Sequence, residues 1–159
     1  MLGVNQYLQD HDEKYPILAN SKAESGWANS LQPYLKSTQI FQCPYETIAS
    51  NSAPAQAGYT DYWFNARMAG LREKQITVPS QTVSLGDGDS SNANYHLSEI
   101  PQSWRNNAQS PIRRHLVDTD VVGANYAFAD GHVKWFSAKR WKTELDMEGG
   151  ATLRLKPRN

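Results

Sequence analysis

Residues 113–136, RRHLVDTDVVGANYAFADGHVKWF, gather two histidines, His115 and His132, with three carboxylates, Asp118, Asp120 and Asp130. Histidine titrates near neutrality and a carboxylate can orient it, so His115 with Asp118 or Asp120 could act as the general base of a hydrolase. The same residue types could hold a metal. No serine, cysteine or carboxylate stands in an activating motif around His115, which favours a buried hydrogen-bonding post beside Arg114, tying the incoming loop to a sheet.

A second stretch, GDGDSSNAN at residues 86–94, sets Asp87, Asp89, Ser91 and Asn92 at the end of an expected strand. Calcium takes roughly six to eight hard oxygens from such loops, and Asp118 or Asp120 could add more if the loops meet. Against the EF-hand pattern the glycine is misplaced and no glutamate closes the loop. Asp87 and Asp89 are therefore the calcium candidates, with a polar turn as the plainer reading. Cys43 is the single cysteine, so no internal disulfide forms. With four scattered histidines it leaves no Cys/His cluster for structural zinc. No flanking base or cation lowers its pKa, and it reads as a small semi-buried thiol.

These groups must be positioned by strands and turns. Asp130–Gly131 between apolar alternations spells a two-residue type I′ turn. That register opposes Ala129 to His132, Phe128 to Val133 and Tyr126 to Trp135. Tyr126, Phe128, Val133 and Trp135 then share one face, with Asn125, Ala127, Ala129, His132 and Lys134 on the other. Asp130 and His132 take structural roles at the turn.

Upstream, Leu2, Val4, Tyr7 and Leu8 have helical spacing, in a helix over residues 1–14 that begins without a cap and ends before Pro16. Trp27, Leu31, Tyr34 and Leu35 mark a second helix, short or kinked because of Pro33. IFQCPYE follows as an extended piece, residues 49–58 as a surface loop, and strands are expected around 58–68 and 82–87. Residues 88–112 read as a long polar loop, and the tail from Arg140 as weakly held apart from a short strand at ATLRL. Trp27, Tyr34, Phe41, Trp63 and Phe64 belong to the core or a helix–sheet interface.

Helices first and strands afterwards give an α+β fold, an N-terminal helix on an antiparallel sheet with long polar loops. The 159 residues make one domain. It divides into residues 1–14, the helix end; 15–57, loops with a short helix; 58–137, the sheet; and 138–159, the tail. Sixteen basic and sixteen acidic residues cancel, which speaks against nucleic acid or an anionic membrane surface as a partner. No apolar run is long enough for a signal peptide or a membrane span.

YLQDHDEKYP, a tryptophan, LQPYLKSTQIFQCP, and RRH leading to GANYAFADGHVKWF together resemble type IV pilin-like proteins, relatives of type II secretion pseudopilins, that carry a C-terminal H-X9-DG element. The matching positions in that element are Arg114, His115, Gly123, Asn125, Phe128, Asp130, Gly131 and His132. TVSLGDGD resembles the strand that precedes it. The spacing differs, since fourteen residues rather than nine lie between His115 and Asp130. The resemblance implies a prepilin leader and a long apolar helix of which residues 1–14 are the end. It further implies an inner-membrane anchor, a domain in the periplasm or at the cell surface, and other pilin subunits and assembly machinery as partners. The implied role is structural and non-enzymatic, the alternative being an extracytoplasmic calcium-dependent binding module.

Overall fold

The computed structural model describes residues 1–18, 26–46, 59–89, 96–118 and 121–139. The expected loop at 49–58, Ser91, Asn92, Asp120 and the proposed strand at ATLRL lie outside them. Helix α1 (Leu2–Asp10) buries Val4, Tyr7 and Leu8 along one side. It stops short of residue 14 because Asp12 and Glu13 take positive φ, 53° and 59°, which an α-helix cannot accommodate. Helix α2 (Trp27–Leu31) tightens into a 3-10 turn at Gln32–Tyr34, where Pro33 removes a donor. Ile40 and Phe41, expected to be extended, lie instead in a second 3-10 turn, Thr38–Phe41. Ser37 starts that turn by accepting the Gln39 N–H at 3.2 Å.

The chain is α+β, with strands β1 (Tyr62–Asn65), β2 (Val83–Asp87), β3 (His96–Leu97), β4 (His115–Asp118), β5 (Val121–Phe128) and β6 (Val133–Ser137) in one sheet. The sheet is mixed rather than antiparallel, because β3 lies parallel to β1 at its edge. β5 is its hub. One edge carries β6, while the other is divided between β2, opposite Tyr126 to Phe128, and β4, opposite Val121 to Gly123.

Each face of the sheet is covered. On one, α1 and α2 pack Val4, Tyr7, Leu8, Trp27 and Leu31 against Phe64 and Ala129. On the other, Trp63, Tyr126, Phe128 and Phe136 meet Leu97, Ile100, Trp104 and Ile112. The second set of partners comes from residues 96–112, expected as loop. That segment holds β3, helix α3 (Gln102–Asn106) and a 3-10 turn at Pro111–Arg113. Its large apolar residues, Leu97, Ile100, Trp104 and Ile112, are sparse and aperiodic, yet all four are buried.

The hairpin register differs by one residue from the type I′ expectation. Asn125 opposes Trp135, Tyr126 opposes Lys134 and Ala127 opposes Val133. A type I′ turn needs positive φ at both central residues, and Asp130 does not have it; Gly131 alone does, at 94°. Phe128 and His132 instead close a three-residue loop, with Gly131 N–H donating to the Phe128 carbonyl and Phe128 N–H to His132. The slip leaves Tyr126 and Phe128 in the core but moves Val133 and Trp135 to the other face. There the Trp135 indole crosses Gly123 so closely that a Cβ at that position would overlap it. Among the described residues no helix is long and apolar enough to cross a membrane.

Candidate functional site

Where β2 leaves the edge of β5 and β4 takes it over, the N–H of Asn125 has no strand to pair with. The Asp87 side chain fills the gap, its Oδ2 accepting that N–H at 2.7 Å. His115, first residue of β4, places Nε2 3.1 Å from the same oxygen. Asp87 is 1% exposed and the His115 side chain 17%, so water competes little for this contact.

Arg114 clamps the gap from the other side. Its Nη2 donates to Glu46 Oε2 and to the Gly88 carbonyl, both at 2.6 Å, and its Nη1 to the Asp61 carbonyl at 3.3 Å. A guanidinium suits this position because its forked donors reach a carboxylate and two carbonyls at once. Cys43 enters through the backbone: Asp61 N–H donates to Phe41, and Cys43 N–H donates to Asp61 Oδ2 at 2.7 Å. Its Sγ then lies 3.8 Å from His115 Nε2.

Burial pushes the Cys43 thiol up from its ordinary pKa, while a backbone hydrogen bond from Tyr45 and the Arg114 guanidinium pull partly back. Burial likewise raises the Asp61 carboxyl, opposed by the Cys43 N–H and Arg114. Cys43 is therefore a neutral thiol in a polar pocket, not a standing thiolate. One wall of the site opens on an apolar cleft of ≈ 510 Å³ between α1, α2 and the sheet, which Cys43, Asp87 and His115 all line.

Cys43, which shows no partner in its own stretch of sequence, meets His115 from 72 residues away. A fold that brings β2 and β4 to the same edge of β5 assembles what spacing does not reveal. Asp87 turns inward to Asn125 and His115, so the carboxylate beside His115 is Asp87. Asp130 pairs instead with His132, at 2.6 Å on the surface.

In a nucleophile–histidine–carboxylate relay the two ring nitrogens face different partners. Here a single nitrogen, Nε2, faces both Asp87 and Cys43, so the three groups converge on a point. Their donor atoms lie within 4.8 Å of one another, an arrangement that can hold a cation. Fold and site thus define an α+β domain with a buried Cys–Asp–His convergence at a sheet junction. Compared with known proteins, the chain matches no family model, no curated protein and no solved structure.

Proposed function

We propose that this domain is a non-enzymatic structural subunit, a pilin- or pseudopilin-like head of an extracytoplasmic filament or type II secretion-like system. One observation carries the reading: the C-terminal hairpin turn is built into the seat of α1. Ala129 is buried in one cluster with Val4, Tyr7 and Leu8. Tyr15, just beyond the helix, donates to the Ala129 carbonyl at 3.3 Å. The two stretches that resemble the pilin-like family most are thereby packed on each other, as a head that must grip a helix requires. The single-nitrogen geometry at His115 does not fit a nucleophile–histidine–carboxylate relay.

In this role the partners are subunits of the same kind and the assembly machinery, and an inner-membrane helix anchors the protein with the head outside the cytoplasm. The test reads the coding sequence upstream of Leu2 and fractionates cells expressing the whole gene product. An apolar segment of about 20 residues joined to α1, with the protein in the membrane fraction, is expected. A gene that starts at Met1, with its product in the cytosol, overturns the reading.

A further inference from the structure

We propose that Cys43, Asp87 and His115 bind a borderline transition-metal dication, zinc foremost, with one coordination position left open to the apolar cleft. The proposal stands apart from the filament role and does not depend on it. Zinc bonds of about 2.3 Å to sulfur, 2.05 Å to nitrogen and 2.1 Å to oxygen at tetrahedral angles put sulfur about 3.6 Å from nitrogen, and nitrogen about 3.4 Å from oxygen. The observed separations are 3.8 Å from Sγ to Nε2 and 3.1 Å from Nε2 to Oδ2. Two of the three edges of a coordination triangle are already near their required lengths.

The second observation is independent of those distances. Asp87 is buried, and its Oδ1 has no hydrogen-bond partner among the described residues. A carboxylate oxygen left so is costly unless a cation meets the group. Oδ2 accepts only the Asn125 N–H and so keeps a lone pair for a cation beside Nε2, while the unpartnered Oδ1 leaves the buried carboxylate short of compensation.

Charge balances as well. A dication on one thiolate, one carboxylate and one neutral imidazole leaves no net charge, and Arg114 is already matched by Glu46. On binding, the metal–sulfur bond replaces the S–H bond of Cys43, whose proton leaves to solvent, and the imidazole proton resides on Nδ1 so that Nε2 can ligate. No oxidation state changes. A mixed sulfur, nitrogen and oxygen set selects zinc or cobalt over calcium, which prefers oxygens alone. The open position takes water or a ligating group of whatever enters the cleft.

Cobalt(II) titration of the purified, metal-free domain tests this. A thiolate-to-cobalt charge-transfer band saturating at one equivalent is expected, displaced by zinc, with zinc also raising the melting temperature. Cys43→Ser and His115→Gln should abolish the band, and Asp87→Asn, which still offers an oxygen to Asn125, should weaken binding at least tenfold. Circular dichroism selects the variants that remain folded. If His115→Gln does not fold, Asp87→Asn decides. The absence of a band in the wild-type domain overturns the proposal. So does a band unchanged in the folded variants, or a melting shift given by calcium and not by zinc.

Discussion

Two histidine–aspartate pairs among the described residues differ in almost everything except chemistry. His132 and Asp130 are two residues apart, 2.6 Å in separation, with side chains 41% and 34% exposed. His115 and Asp87 are joined across the sheet at 3.1 Å and are largely buried. The shorter contact is the weaker support, because water screens an exposed pair and the turn already fixes its geometry. The longer one includes the carboxylate that accepts the Asn125 N–H where the ladder of β5 passes from β2 to β4. Distance alone ranks the pairs wrongly; burial and the task of each aspartate rank them correctly.

Substitutions can break or sharpen this contrast. Arg114→Ala removes the guanidinium that donates to Glu46 and to the Gly88 and Asp61 carbonyls, and is expected to cost about 3–5 kcal/mol in urea denaturation. A loss below about 1 kcal/mol would show that the junction does not depend on its clamp. Asp87→Ala removes the acceptor for Asn125 N–H and should cost about 1–3 kcal/mol, with Asp87→Asn recovering part of it. The pH profile comes next in size. The Cys43 thiol is raised in the folded state. Stability is therefore intact below the unfolded thiol's pKa of about 8.5 and falls as pH rises past it, while the folded thiol keeps its proton. Cys43→Ser should flatten that alkaline decline, and an unchanged slope would assign it to other groups. At the exposed pair, His132→Ala loses a stack on Phe128, with rings 4.1 Å apart, and should cost no more than about 1 kcal/mol. A larger effect there than at Asp87 reverses the ranking.

The same contrast explains what could be read in advance. The exposed pair belongs to a local turn, so Asp130–Gly131 announces itself in the sequence. Its register slips by one because the φ of a single residue decides between two turn types that share the same letters. The buried junction is non-local. Asp87 appears at the end of a recognisable strand and His115 as a plausible post, but nothing near Cys43 hints at either. Leu97, Ile100, Trp104 and Ile112 escape notice for a related reason: they cover the second face as single anchors on an irregular path, without the period that marks a helix or strand.

The hub position of β5 also bears on the order in which the chain can assemble. β2, β4 and β6 all pair with it, yet it begins only at Val121. A nascent chain released up to that point has its β1–β2 pair waiting with an unfilled edge, a state open to misassembly until the strand arrives. Protease challenge of ribosome-stalled chains reads this directly. Chains with residues up to 118 outside the tunnel should be cut readily, and those exposed past Ser137 should resist. Resistance in the shorter chains would mean that the first half of the domain folds without its hub.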